Sequence, residues 1–261
     1  MNNLRVFVLG GLTSYRALFT WLSPWILIPT FLVSPLIQIL LFAYVGRASG
    51  VGSDAFFLIG NAVLYTATPC LFAMSNTIGG ERYQGTLPLL LASPARRIPL
   101  FLGRALPVIL NGFFVALFGL VAGAFLLGVH LPTSSLAPLA LVVAVATFSC
   151  TGLGLVTAAL GLRVRETAVL ANVVFGVLMI FAGVNVPLTS MPAWMASAAE
   201  WMPLTHGIAA ARDVAGGRPL ADTVPALAAE AGLGIVFTGI GLVMLAYFEH
   251  ESRRRATLET A

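Results

Sequence analysis

Long apolar segments without charged side chains alternate with short polar segments along most of this sequence. Stretches that lack Asp, Glu, Lys and Arg run over residues 17–46, 55–80, 105–162, 167–199 and 231–248. A helix that crosses the ~30 Å hydrocarbon core of a bilayer needs about 20 mostly apolar residues, because it rises ~1.5 Å per residue. Each stretch can therefore supply at least one membrane-spanning helix.

The 105–162 stretch is too long for one span and contains a polar, turn-forming cluster at residues 130–135. Division at that cluster gives six predicted spans. They lie near residues 25–45, 56–79, 105–128, 138–161, 167–186 and 230–248. The predicted fold class is all-α integral membrane, with residues 1–261 forming a single transmembrane domain.

Two segments outside the spans also carry helical patterns. The N-terminal segment contains Arg5 and Arg16 among apolar residues, and an interfacial helix near residues 12–22 is predicted there. The long segment 187–229 precedes the last span. Trp194 and Trp201 are seven residues apart, which places them on one helical face and is typical of a membrane interface.

Within that long segment, the end signals of short helices predict further structure. Thr205 is a suitable cap for a short helix that Gly216 and Gly217 would end. Pro225 would start the helix that leads into the last span. An outer gate and a simple aromatic belt both remain open as roles for this segment.

Composition supports a membrane protein and excludes a nucleotide site in this chain. Hydrophobic residues make up 59% and charged residues 9% of the sequence, against roughly 25% charged residues in a soluble domain. All fourteen basic residues are arginines, so the lysine of a P-loop is absent. No ATP or Mg²⁺ cofactor is therefore expected in this chain, and ATP-driven work would need a partner subunit. The lysine-free, Ala- and Arg-rich usage is typical of a GC-rich bacterial genome.

The arginines predict the orientation, since short cytoplasmic loops collect positive charge. Eleven arginines fall on one side of the predicted bundle and three on the other. The minority side holds Arg47, Arg212 and Arg218. Both termini are therefore predicted to be cytoplasmic in a bacterial plasma membrane. Because the arginines are spread over separate loops, no nucleic-acid partner is expected.

The predicted spans contain amides and hydroxyls instead of deep ionisable groups. No Asp, Glu, Lys or Arg is expected deep in any span, which argues against a proton-coupled carrier and an intramembrane metalloprotease. No catalytic residue and no metal site is predicted. Interhelical hydrogen bonding and lining of a substrate path remain as alternative roles for four amides: Asn61, Asn111, Asn172 and Asn185.

Small residues at helical spacing and two cysteines complete the content of the spans. Gly119 with Gly123, and Gly154 with Ala158, predict close helix approach. Cys70 and Cys150 lie inside apolar runs without metal-ligand spacing.

The first cytoplasmic loop, between the second and third spans, has charged ends and an apolar middle. A solvated loop would not normally hold this many leucines, so the segment is expected to pack at the cytoplasmic face, against its own bundle or against a partner. The residues expected to face a partner are Glu81, Arg82, Gly85, Thr86, Ser93, Pro94, Arg96 and Arg97.

Two motifs resemble those of ABC-2 type transporter permeases, a family that includes nodulation-factor and daunorubicin-resistance exporters. One is Glu81-Arg82-x-x-Gly85-Thr86-Leu87 followed by Leu89-Leu90-x-x-Ser93-Pro94. The other runs from Gly183-Val184-x-Val186-Pro187 through Met191-Pro192-x-Trp194 to Met202-Pro203-Leu204-Thr205-His206, with Arg212 after it. In the family a Glu often follows Gly-Thr-Leu, whereas Pro88 stands here, so that carboxylate contact does not carry over.

The resemblance implies a permease pair that works with two copies of a cytoplasmic ABC ATPase, the second permease being identical or a paralogue. It also implies that the first cytoplasmic loop contacts the ATPase and that short re-entrant helices form near the exit. Charge-free spans with amides favour an amphipathic drug- or lipid-like substrate. Export of a polysaccharide or glycolipid, and a membrane-embedded lipid-modifying enzyme, are the alternatives.

Overall fold

The computed structural model describes residue 25 and residues 29–83, 97–164 and 166–255, without the side chains at 30, 76–83, 97–102, 104–105, 249 and 252–255. Every regular element in these ranges is helical. The α-helices are α1 (Ser34–Ser49), α2 (Asp54–Leu64), α3 (Ala67–Tyr83), α4 (Arg97–Leu127), α5 (Thr133–Leu160), α6 (Thr167–Phe181), α7 (Ala193–Ala199), α8 (Thr205–Ala215) and α9 (Leu220–Arg255). A π-helical turn, Pro29–Val33, precedes α1, and a 3-10 turn, Leu188–Ser190, lies between α6 and α7.

The predicted all-α membrane architecture agrees with these helices. Within the described ranges, five helical segments are long and apolar enough to cross a membrane: Phe31–Ser49, Asp54–Ser75, Leu106–Leu127, Thr133–Leu160 and Leu220–Phe248. The fifth predicted span, 167–186, corresponds to α6, which has 15 residues and is therefore only about 22 Å long. The count of six spans stays a prediction.

The second predicted span is broken where the sequence analysis expected a continuous helix. α2 ends at Leu64 and α3 begins at Ala67. Pro69 explains the break, because proline fits the first turn of a helix but cannot donate a backbone hydrogen bond in its interior. At the break, the Tyr65 hydroxyl lies 3.0 Å from the Ser34 hydroxyl of α1. The broken span is thus tied to its neighbour.

The turn predicted inside the long apolar stretch 105–162 is confirmed, although the helices around it are longer than expected. α4 ends at Leu127, and Gly128 adopts a positive φ of 69°, a conformation that glycine reaches at little steric cost. α5 then begins at Thr133. At its other end α4 starts at Arg97, several residues before the predicted boundary at residue 105.

Helix α5 is the centre of the bundle. It packs against α3, α4, α6, α8 and α9. Small residues allow the close contacts: a Cβ on Gly154 would lie 2.1 Å from the Cys70 carbonyl oxygen of α3, and one on Gly152 would lie 2.7 Å from the Gly234 carbonyl oxygen of α9. Ala158 is fully buried. The close approach predicted for Gly154 and Ala158 is therefore confirmed.

The other small-residue pair packs inside the same bundle. A Cβ on Gly119 would lie 3.4 Å from Ile39 of α1, and one on Gly123 would lie 2.5 Å from Leu58 of α2. The spacing of these two glycines on α4 therefore brings α1 and α2 close to it.

Two helix starts predicted in the segment 187–229 are wrong. Thr205 is the first residue of α8, and its hydroxyl makes no capping bond; the preceding residue, Leu204, has a left-handed φ of 75°. α9 begins at Leu220 and contains Pro225 in its interior. The end of α8 is as predicted, with Gly216 following the helix and Gly217 at φ 89°.

The predicted interfacial helix near 12–22 lies outside the described residues. The two tryptophans of the outer segment are exposed, with 66% of Trp194 and 73% of Trp201 accessible. This exposure fits a position at a membrane interface.

Candidate functional site

The predicted ATPase-facing set falls mostly outside the described residues. Gly85, Thr86, Ser93, Pro94 and Arg96 are all beyond them. The backbones of the remaining members are helical: Glu81 and Arg82 belong to the end of α3, and Arg97 begins α4. The set therefore flanks a connection between two long helices, and its role in coupling stays a prediction.

Two of the four predicted path amides are joined in one hydrogen-bonded cluster. Asn61 of α2 is fully buried. Its Nδ2 donates to Asn185 Oδ1 at 2.8 Å and to the Phe57 carbonyl at 2.9 Å, and its Oδ1 accepts from Gln38 Nε2 of α1 at 3.0 Å. The interhelical hydrogen-bonding alternative fits Asn61 and Asn185, because both bind neighbouring segments.

The other two amides do not join that cluster. Asn172 is exposed on α6, where its Nδ2 donates to the Ala168 carbonyl of its own helix at 2.9 Å. Asn111 is half-buried on α4. Two of the four amides thus share one cluster, and the role of all four in a substrate path stays a prediction.

Next to the amide cluster lies a largely buried arginine, Arg212, which ends the second family motif and was counted among the arginines of the predicted outer side. Arg212 of α8 donates from Nη1 to the Gly183 carbonyl and from Nη2 to the Val184 carbonyl, both at 2.8 Å. Nη2 also lies 3.2 Å from the Phe56 carbonyl oxygen of α2, and the guanidinium carbon lies 3.6 Å from the Phe56 ring centroid.

The charge of Arg212 is balanced by main-chain dipoles and an aromatic ring. Among the described residues, no carboxylate forms an ion pair with it. Burial lowers the pKa of the Arg212 guanidinium to about 10, which still leaves it protonated at neutral pH. Arg212 therefore joins three segments as a cation: α8, the chain after α6, and the first turn of α2.

At Gly60, helix α2 lies very close to the chain after α6 and to the Arg212 side chain. A Cβ at this position would lie 2.5 Å from the Val184 carbonyl oxygen and 2.6 Å from Arg212 Nη2. Any larger residue would push apart the contact between α2 and the chain after α6. A glycine at position 60 is thus required by the Arg212 site.

A second buried charge contradicts the expectation that no ionisable group lies deep in a span. Glu230 is the eleventh residue of α9, inside the span Leu220–Phe248, and its exposed fraction is 0%. Its Oε1 accepts from the Leu204 amide at 2.7 Å, and its Oε2 accepts from the Gly207 amide at 2.9 Å. The expectation failed because α9 begins ten residues before the predicted boundary at 230.

The two oxygens of Glu230 cap α8 from another helix. The first N–H groups of a helix have no partner within it, and Leu204 and Gly207 occupy the cap position and the third helical position of α8. In an ordinary capping box two local side chains bind these two amides; here one carboxylate of α9 binds both. The acceptor oxygens of Glu230 thus face the positive end of the α8 dipole.

The sequence carried a weak signal for these two residues. Glu230 lies in an apolar, alanine-rich run, and Arg212 follows three alanines; a charge in such a setting is normally held by a specific partner. Their partners are main-chain groups, and a sequence pattern does not indicate which main-chain groups a side chain will meet.

Comparison with known families shows which family the chain belongs to. The sequence matches the family described as ABC-2 type transporter over residues 12–215, well over half of its length. The chain belongs to the ABC-2 type transporter family. A search among curated proteins finds no match.

Membership of the ABC-2 family confirms the resemblance seen in the sequence motifs and the coarse function. The chain is a membrane-embedded permease of a transporter, a class that is not an enzyme by itself and normally works with an ABC ATPase. The match ends at residue 215, which is the last residue of α8. Glu230 and the whole of α9 therefore lie beyond the part of this ABC-2 permease that the family match covers.

In this ABC-2 permease, each arginine of the predicted outer side is held by the protein itself. Arg47 makes a two-pronged ion pair with Asp54 across the turn between α1 and α2, at 2.8 and 2.5 Å. Arg218 lies 3.2 Å from Asp213, and Arg212 binds carbonyl groups. These three arginines therefore have structural roles.

Proposed function

We infer that the chain is the permease subunit of an ATP-driven exporter that moves an amphipathic drug- or lipid-like molecule out of the cytoplasm or the inner leaflet. Two such permeases, identical or paralogous, would work with two copies of an ABC ATPase in a bacterial plasma membrane. Family membership supports a permease that relies on a partner ATPase. The absence of lysine supports it independently, since a P-loop cannot be built from this sequence.

The exposed face of α6 supports an amphipathic substrate. Val169 and Val173 are each 58% exposed and Ile180 is 52% exposed. Asn172 lies on the same face, and a Cβ on Gly176 would meet nothing within 4 Å. An apolar surface with a single amide can contact the apolar body and one polar group of an amphiphile, and it offers little to a small inorganic ion.

The same face supports a path between two permeases. The described bundle is packed around α5 with small residues, so the space for a bulky molecule lies outside a single bundle. Interfaces between membrane helices are enriched in small residues and interhelical amides. A path beside α6 would combine the surface of one permease with that of the other, in contact with membrane lipids.

Reconstitution with the ATPase tests this function. The chain is co-expressed with the ABC ATPase encoded next to it, purified as a complex and placed in proteoliposomes. We expect ATP-dependent movement of lipophilic dyes or lipid analogues and no movement with ATPase alone. A chain that assembles with no ATPase would contradict the exporter, and loss of a cell-surface glycan on gene deletion, without any amphiphile efflux, would favour the polysaccharide alternative.

Coupling through the first cytoplasmic loop gives a separate prediction. Glu81→Ala should leave assembly intact and lower ATP-dependent export about tenfold, because it removes a charge-assisted contact to the ATPase. Glu166→Ala is the matched control, since Glu166 is an exposed carboxylate in the turn between α5 and α6. Export and ATP hydrolysis are measured in the same proteoliposomes. Unchanged export by the Glu81 variant would remove this residue from the coupling set.

A further inference from the structure

Helix α9 links the outer segment to the predicted cytoplasmic end of the molecule without interruption. It has 36 residues, which corresponds to about 54 Å. Near its end, Glu251 forms an ion pair with Arg163 of the turn between α5 and α6, and the Arg163 guanidinium lies 5.2 Å from the Phe248 ring centroid. A displacement of that end can therefore be transmitted along one continuous helix.

The N-terminal end of α8 is fixed to α9. Both oxygens of Glu230 are occupied by amides of α8, and Leu204, one of the donors, has the left-handed φ of 75°. A non-glycine residue in that conformation is held there by its surroundings. Gly207 also packs closely, since a Cβ there would lie 3.0 Å from the Ala146 Cβ of α5. Leu204 and Glu230 are both fully buried, so this contact is shielded from water.

The C-terminal half of α8 is held by Arg212. Arg212 binds the carbonyls of Gly183, Val184 and Phe56, and it retains partial exposure. Hydrogen bonds to carbonyls at a partly exposed site can be exchanged for bonds to water, whereas the buried amides held by Glu230 have no alternative partner. The Arg212 contact is therefore the easier of the two to release.

We propose that Glu230 fixes α8 to α9 so that the two helices move as one body, and that Arg212 is the releasable contact that holds α8 closed against α2 and the chain after α6. Glu230 is then a positioning residue for the outer gate. This proposal rests on the transport function inferred above, and it assigns to α8 the step at which the exit opens.

Glu230→Gln tests the fixed end. Glutamine keeps the shape but replaces one acceptor oxygen with an NH2 group, so one of the two amides of α8 loses its partner. Export per ATP hydrolysed should fall about tenfold, with ATP hydrolysis itself retained. Glu200→Gln is the control, because Glu200 is an exposed carboxylate of the same outer segment. Normal export per ATP in the Glu230 variant would overturn the proposal.

Arg212→Lys tests the releasable end. Lysine keeps the charge but cannot reproduce the fork that reaches three carbonyls. Efflux of preloaded substrate in the absence of ATP should rise about fivefold, because the closed contact is weakened. Arg218→Lys is the control, since Arg218 makes a single exposed ion pair in the same segment. If both the Glu230 and Arg212 variants merely lose assembly, ATP hydrolysis and export together, their roles are structural and the proposal fails.

Hydrogen exchange separates this proposal from the exporter function. In the purified Glu230→Gln permease, amides of residues 204–208 should exchange about tenfold faster than in the unmodified chain, with no change in the Glu200→Gln control. This readout needs no substrate. If the unmodified complex shows no ATP-dependent export, the exporter function fails while the exchange result still decides whether Glu230 fixes α8. Unchanged exchange would overturn the attachment itself.

Discussion

At the scale of single residues, the two decisive charges act on main-chain groups. Arg212 binds carbonyls and Glu230 binds amides. A buried charge is costly unless its hydrogen bonds are satisfied. Both oxygens of Glu230 and both terminal nitrogens of Arg212 are bonded, whereas the buried Arg212 Nε has no hydrogen-bond partner among the described residues. Neither side chain forms an ion pair within the described part of the chain. Residue type alone indicated neither site, because a main-chain partner is available at any position in a sequence.

Gly60 gives a prediction at the same scale. Gly60→Ala should lower the free energy of unfolding by about 1–3 kcal/mol, because the added Cβ meets the Val184 carbonyl oxygen at 2.5 Å and overpacking cannot be relieved by moving a flexible side chain. Thermal unfolding of the detergent-purified permease measures the change.

Gly176→Ala is the control for that prediction. Position 176 lies in α6 with nothing within 4 Å of a new Cβ, so alanine there should be neutral or slightly stabilising through its higher helix propensity. Equal unfolding temperatures of the two variants would show that the approach of α2 to Val184 is looser than the structure indicates.

At the scale of elements, small residues determine which helices can touch. The closest approach of α3 to α5 occurs at Gly154, and that of α5 to α9 at Gly152 and Gly234. Hydroxyls support the first of these contacts: Cys70 Sγ lies 3.2 Å from Thr151 Oγ1, and Ser75 Oγ lies 3.2 Å from Thr157 Oγ1. In lipid, packing and interhelical hydrogen bonds replace the hydrophobic effect as the source of helix association.

Gly154→Ala should therefore separate α3 from α5. The new Cβ would lie 2.1 Å from the Cys70 carbonyl oxygen, and the expected loss of stability is about 2 kcal/mol or more. Gly239→Ala in α9, where nothing lies within 4 Å of a new Cβ, should be tolerated. The measurement is the fraction of monodisperse permease that survives a heating series, read by size-exclusion chromatography. Equal survival of both variants would contradict the packing at Gly154.

At the scale of the whole molecule, the arginine distribution and the helix order predict one topology. If each span crosses the membrane once, the turns after α1 and α4 are expected on one side and the turn between α5 and α6 on the other. We expect the side that contains Arg163 and the C-terminus to be cytoplasmic, since it belongs to the arginine-rich set. The ion pairs of Arg47 and Arg218 reduce the free positive charge of the opposite side.

Labelling of single cysteines tests this topology. A cysteine at Ser134, beside the turn between α4 and α5, should react with a membrane-impermeant maleimide in intact cells, whereas one at Thr260 should react only after permeabilisation. Cys70 and Cys150 are buried and are replaced by alanine to remove background. The reversed labelling pattern would overturn the predicted orientation.

The sequence by itself determined the membrane class, the approximate position of five spans, the turn between α4 and α5, and the family motifs. These features depend on local composition: about 20 apolar residues suffice to cross a bilayer, and a cluster of turn-forming residues ends a helix wherever it occurs. The break at Pro69 and the start of α9 at Leu220 also depend on the local sequence, but neither was predicted.

Only the tertiary structure decided which polar groups meet. Asn61 and Asn185 are 124 positions apart and share a hydrogen bond, and Arg212 reaches Phe56 across 156 positions. Thr205 looked like the cap of α8, yet Glu230 of another helix caps it. Since a backbone amide or carbonyl is present at every residue, a partner of that kind is selected by the packing of helices around α5 and not by the identity of any side chain.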